Sequence, residues 1–143
     1  MRICILTLGS RGDVQPYVAL ARGLDAAGHK TALCAAPAFR SFIESHGVEF
    51  ASFDTGDPQA MLHSPEGQAA FRATRNPFAL FRSLSRLLEP MLEKGYAEAC
   101  LATEGADALL AAPGALPIAQ ALNARRDVPF SAAGLRPLGS SLG

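Results

Sequence analysis

Short unbroken apolar runs take turns with helical spacings along this chain. Ile3, Cys4, Ile5, Leu6, Thr7 and Leu8 form a run without charge, the pattern of a central parallel strand covered on both faces. Gly9-Ser10-Arg11-Gly12-Asp13 breaks the run. Val14, Tyr17, Val18, Leu20, Ala21 and Leu24 then recur at helical spacing. Pro16 stands where a first-turn proline belongs, and Gly28 where a helix ends. Thr31 to Ala35 reads as a second strand. Phe39, Phe42 and Ile43 mark a second helix stopped by Gly47, and Val48 to Phe53 reads as a third, alternating strand. A β-α-β-α-β series with short connections implies a parallel sheet with right-handed crossovers.

The pattern weakens from Asp54 to Asn76, where Gly56, Asp57, Pro58, Pro65, Gly67 and Asn76 punctuate it; one short helix is expected near Glu66 to Arg72. A longer helix follows from about Phe78 to Thr103, with Phe78, Phe81, Leu84, Leu88, Met91 and Leu92 stepping by three or four residues and Pro90 predicted to kink or split it. Asp107 to Ala112 and Val128 to Ala133 read as fourth and fifth strands around a helix from Leu116 to Ala124. The expected core includes Ile5, Leu6, Val18, Leu24, Leu33, Phe42, Val48, Leu109 and Phe130. The last ten residues have no period, so the chain reads as one half of a larger fold.

Composition narrows the classes. A chain of 143 residues with 49% hydrophobic and 18% charged residues is ordinary for one globular domain and argues against disorder. Thirteen basic residues balance thirteen acidic ones, which counts against a general nucleic-acid binder. Three cysteines make no disulfide framework. The apolar runs fall far short of the ~20 residues needed to cross a bilayer, and the opening residues lack a signal-peptide pattern. A soluble cytoplasmic location is the expectation.

Candidate chemistry gathers after the first strand. Ligands of open α/β sheets bind at the carboxyl ends of strands, and the following helix offers free N–H groups with a positive dipole end. The glycines at 9 and 12 do not have dinucleotide-fingerprint spacing, and the second strand ends Cys34-Ala35-Ala36-Pro37 without an acid for a ribose. The Gly-Lys-Ser/Thr of a phosphate-binding loop is also missing. Asp13 suits a helix N-cap. With Asp13 as cap, Pro16 is the third helical residue; with Pro16 first in the helix, Asp13 lies outside it. Either way the carboxylate is under-used structurally, which leaves it freer to face a ligand.

The run Gly9-Ser10-Arg11-Gly12-Asp13-Val14-Gln15-Pro16-Tyr17-Val18-Ala19-Leu20, with Gly23-Leu24 and Ala27-Gly28-His29 after it, resembles the opening of a family 28-type glycosyltransferase amino-terminal domain. It is most similar to sterol glucosyltransferases and related lipid and antibiotic glycosyltransferases. Phe42 to Phe50, Gly56-Asp57-Pro58 and Val128-Pro129-Phe130 fit the resemblance. It implies a Rossmann-like open parallel sheet with helices on both faces, one half of a GT-B fold. Residues 1–138 would be the acceptor-binding domain and 139–143 a tail or truncated linker, with a carboxy-terminal donor-binding domain of the same enzyme missing from this chain. It further implies inverting hexosyl transfer from a nucleotide sugar, UDP-glucose by expectation, to a hydroxyl of a sterol, lipid or polyketide-like acceptor. Asp13 would be the general base and Ser10 a supporting polar group. Gly9, Arg11 and Gly12 would form a loop near the donor phosphates, and Phe78 and Phe81 would line the acceptor. Neither metal nor cofactor is expected.

Arg72, Arg75, Arg82 and Arg86 fall in a stretch without acid between Glu66 and Glu89. This is either the solvated outer face of a core helix or a basic face for peripheral contact with anionic lipid. His29, His46 and His63 have no metal-ligand spacing. The alternative to the acceptor half of a transferase is an isolated, non-catalytic ligand-binding or partner-binding module. A nucleotide-dependent oxidoreductase lacks its glycine spacing and its acid.

Overall fold

The computed structural model describes residues 1–9, 11–56, 58–72 and 75–134. Along the chain these form β1 (Arg2–Leu6), α1 (Arg11–Ala26), β2 (Lys30–Ala35), α2 (Arg40–Ser45), β3 (Glu49–Ser52), α3 (Pro58–Leu62), α4 (Pro65–Arg72), α5 (Pro77–Ala102), β4 (Ala108–Ala111), α6 (Leu116–Arg126) and β5 (Phe130–Ala132). Short 3₁₀ turns, Pro37–Phe39 and Pro113–Ala115, lead into α2 and α6. The chain divides into two compact units: one runs to Asp54 and resumes at Glu98, the other is Thr55–Ala97.

The first unit holds a five-stranded sheet in the order β3-β2-β1-β4-β5. Every pairing is parallel, with Ile5 opposite Leu33 on one side and Leu110 on the other. Side chains alternate across the sheet. Ile3, Ile5, Leu33 and Ala35 face Val14, Tyr17, Val18 and Ala21 of α1 and Ile43 of α2. Cys4 turns to the opposite face, where its Sγ lies 3.7 Å from the Ala102 carbonyl near the end of α5. Helices therefore cover both faces, and β1 is central, as its uncharged run requires. The hydrogen bond with Cys4, then burial, pushes the Cys34 thiol well above the usual thiol range.

Local chemistry sets the joints of this unit. Gly28 has φ +95° after α1, and the His29 amide reaches back to the Leu24 carbonyl, a glycine-terminated helix end. Asp25 Oδ1 then accepts from both the Thr31 amide at 2.9 Å and the Thr31 hydroxyl at 2.7 Å, which pins α1 to the start of β2. After β3, Glu98 Oε2 accepts from the Ser52 hydroxyl at 3.0 Å and the Asp54 amide at 2.9 Å.

The core includes Ile5, Leu6, Val18, Leu33, Val48 and Leu109 as expected. Leu24, Phe42 and Phe130 are only half-buried, and Phe130 stands on an edge strand. β1, β3, β4 and β5 are shorter than their expected runs, and β2 gains Lys30 at its start; β1 ends at Leu6, and Thr7 donates both its amide and its hydroxyl to the Cys34 carbonyl.

In the second unit, α4 starts at Pro65 because the Ser64 hydroxyl accepts from the Gly67 amide at 3.1 Å, an N-cap followed by a first-position proline. Asn76 Oδ1 accepts from the Phe78 amide at 3.0 Å and starts α5 in the same way. The expected single helix near Glu66 is thus joined by α3, whose five residues are too few to show a period. Gly67 is buried against α3, and a methyl group there would stand 2.7 Å from the Leu62 carbonyl oxygen. A groove of about 530 Å³ is lined by His63, Pro65, Gln68, Ala69 and Arg72.

Two expectations for α5 are corrected. The helix is not split at Pro90 and runs through it as one element, since the missing amide removes one intrahelical bond and the bonds on either side hold. Its apolar residues also do not share one face. Leu84, Leu88 and Met91 are half-buried, whereas Phe78, Phe81 and Leu92 are exposed. The 139–143 tail lies outside the described residues.

Candidate functional site

The carboxyl end of β1 carries the candidate chemistry. Gly9 has φ +116°, a backbone region that suits glycine. α1 begins at Arg11, so Asp13 is its third residue, exposed in the first turn. Both expectations for Asp13, cap residue or residue outside the helix, are corrected. Ser10-x-x-Asp13 has the spacing of a capping box, in which an acid occupies the third helical position. That signal marks a helix start at Arg11, and an acid there is favoured by the positive helix end. Pro16 becomes the sixth helical residue and not a first-turn proline.

The Asp13 carboxylate folds back over Gly9. A methyl group on Gly9 would stand 2.9 Å from Asp13 Cγ and closer still to Oδ2. Asp13 also takes part in an interaction with its surroundings, so it is not the structurally idle group that Pro16 suggested. Gly114, in the turn after β4, would bring a Cβ within 3.6 Å of Leu8. Small residues thus border the exit of β1.

One turn along α1, Tyr17 is buried and its hydroxyl donates to the Ala133 carbonyl at 2.5 Å. Burial first, and the Asp13 charge second, hold its phenol above the ordinary tyrosine range. Sequence reasoning counted Tyr17 only as an apolar helical position. Its four-residue spacing from Asp13 was the available signal.

Arg11 and Gly12 lie in the first turn of α1 and not in a loop, because the helix starts earlier than Pro16 implied. The Arg11 guanidinium sits over the Phe42 ring of α2, 4.6 Å from its centroid, and Phe42 in turn meets His46 edge-on at 4.8 Å. Ser10 lies outside the described residues. Phe78 and Phe81 belong to the second unit, 80% and 73% exposed. Among the described residues no group of three or more His, Cys, Asp or Glu could hold a metal ion, and no helix is long and apolar enough to cross a membrane.

A fully parallel five-stranded sheet with β1 at its centre and helices on both faces is a Rossmann-like α/β domain. Residues 3–117 match the glycosyltransferase family 28 N-terminal domain, and the chain belongs to that family. It is 37% identical over 118 residues to a sterol 3-beta-glucosyltransferase of Gibberella zeae, a match covering 81% of this chain and 8% of that protein. It is 42% identical over 118 residues to the O-mycaminosyltylonolide 6-deoxyallosyltransferase of Streptomyces fradiae, covering 79% of this chain and 26% of that protein. Among solved structures, a glycosyltransferase of Streptomyces sp. SF2575 superposes with a TM-score of 0.67 at 25% identity, covering 95% of this chain and 40% of the other. The same enzyme is known in complex with thymidine diphosphate. The chain thus spans less than half the length of each of these relatives.

Proposed function

We propose that this chain is the acceptor-binding half of an inverting hexosyltransferase, which moves a sugar from a nucleotide-sugar donor to a hydroxyl of a hydrophobic acceptor. The observation that carries the reading is the exposed Asp13 carboxylate, held in the first turn of α1 at the carboxyl end of the central strand. In the transfer, the acceptor oxygen forms a bond to the anomeric carbon as the bond from that carbon to the donor phosphate breaks on the opposite face. The acceptor proton passes to Asp13, and the nucleoside diphosphate departs with the bonding pair. A neutral alcohol is a poor nucleophile, and a carboxylate within hydrogen-bond reach supplies roughly 10²–10⁴ in rate.

The names of the relatives support a sterol, lipid or polyketide-like acceptor and a glucosyl or deoxyhexosyl donor. A thymidine diphosphate complex of a structural relative supports a nucleoside-diphosphate leaving group; UDP-glucose remains the donor proposed from sequence. In this reading Ser10 is a supporting polar group beside the acceptor or the donor phosphate, Gly9, Arg11 and Gly12 lie near the donor phosphates, and Phe78 and Phe81 meet the acceptor. Residues up to 138 form the acceptor domain, a carboxy-terminal domain of the same enzyme supplies most donor contacts, and the step, placed in the cytoplasm, uses no metal.

The test is Asp13→Asn in the full-length enzyme. Asparagine keeps the shape over Gly9 but cannot take the proton. The expected result is a loss of about 10²–10⁴ in kcat with little change in acceptor KM, because the group acts on a proton that moves only in the transition state. Near-normal turnover would remove Asp13 as the base.

A further inference from the structure

Arg11 places a cation at the unfavourable end of a helix. It is the first residue of α1, where the dipole is positive and repels a positive charge. Asp13, two places on, does not share its side of the helix. Among the described residues Arg11 forms no ion pair. What holds it is the ring of Phe42, 4.6 Å from the guanidinium carbon to the centroid. A second such stack, Arg40 over Phe50 at 5.3 Å, has its charge met by Glu44 at 3.3 Å. The Phe42 ring is fixed in turn. His46 meets it edge-on, and the His46 Nδ1 and the Ser45 hydroxyl donate to the Phe42 carbonyl at 2.8 and 2.7 Å. Phe42 packs against the core yet stays half-buried.

We propose that Phe42 is a positioning residue for sugar transfer: its ring holds the Arg11 guanidinium at the carboxyl end of β1, where the guanidinium binds the diphosphate of the donor. This rests on the sugar-transfer reading and adds a residue of α2 to it. A guanidinium matches phosphate oxygens in charge and in the geometry of its donors. An aromatic face suits the task because it holds a cation without neutralising it; a carboxylate partner would cancel the charge that the diphosphate needs. Restraining a long side chain beforehand also lowers the entropy lost on binding. If the contact only joined α1 to α2, a neutral side chain would serve there without the repulsion at the helix end.

The experiment is titration calorimetry of the full-length enzyme with uridine diphosphate and thymidine diphosphate, each against its nucleoside. Arg11→Gln is expected to weaken the preferred diphosphate about tenfold or more and to leave the nucleoside unchanged. Phe42→Leu keeps an apolar contact but no aromatic face. It should weaken the diphosphate about two- to fivefold, the size of an exposed cation–π contact, and add nothing in the Arg11→Gln background. Phe42→Trp should bind like the parent. A purely structural role for Phe42 makes other forecasts: equal losses for diphosphate and nucleoside, or a loss that persists once Arg11 is gone. Either result would overturn the proposal. So would a Phe42→Leu enzyme that binds like the parent, a Phe42→Trp enzyme that binds like Phe42→Leu, or a parent with no preference for a diphosphate over its nucleoside. The base is tested by the kcat of Asp13→Asn and this proposal by diphosphate binding, so each can fail alone.

Discussion

Gly9 and Asp13 compete for the same space: the carboxylate of one lies where any side chain on the other would have to go. The exit of β1 and the first turn of α1 are therefore one packed unit, and the position of the proposed base depends on a residue four places earlier.

Gly9→Ala is expected to destabilise the chain by about 1–3 kcal/mol, mainly through the backbone cost of a positive φ, with a smaller share from displacing the exposed Asp13 carboxylate. In an Asp13→Ala background the overlap shrinks and the φ cost remains, so the same substitution should cost less there. Chemical denaturation of the four chains of this cycle measures the coupling. Strict additivity would show that the carboxylate does not rest on Gly9 in solution.

Tyr17→Phe removes the hydroxyl that donates to Ala133. The expected loss is about 0.5–1.5 kcal/mol at neutral pH. The phenol ionises later in the folded chain than in the unfolded one. Its contribution is therefore full below the unfolded value of about 10 and lost as pH rises through the raised one. Parent and variant stabilities should converge at alkaline pH. A constant difference across that range would show that the phenol is not held by burial.

Gly67→Ala pits two effects against each other. Alanine is the better helix former by about 1 kcal/mol, but its methyl group meets the backbone oxygens of Met61 and Leu62, which cannot rotate away. Overpacking of this kind costs about 1–3 kcal/mol, so net destabilisation is expected. Amide exchange should speed up within residues 58–72 while β1 and β2 keep their protection.

The sheet was legible because its strands are short apolar runs bounded by glycine and proline, and Ile3 to Leu6 has no other use than a doubly covered strand. Edges were less so: Glu49 and Ser131 sit in strands whose limits are set by pairing partners, not by their own pattern. The start of α1 is obscured in the sequence because Pro16 mimics a first-turn signal, whereas the spacing from Ser10 to Asp13 carries the true one. Tyr17 was hidden by its apolar company; its hydroxyl partner lies 116 residues away, beyond any local pattern. Phe78 and Phe81 fitted the helical period of Leu84 and Leu88, since a three-or-four step drifts around the helix and hides which side each residue faces.

Glu98 ties together the point where the chain leaves the sheet, at Ser52 and Asp54, and the point where it returns, both donors landing on one carboxylate oxygen. With the ends fastened there, replacement of residues 55–97 by a relative's segment is expected to leave the hydrogen bonds of the sheet intact. A chimera carrying a relative's segment should keep the amide protection of β1 and β2, provided the acid at position 98 is retained.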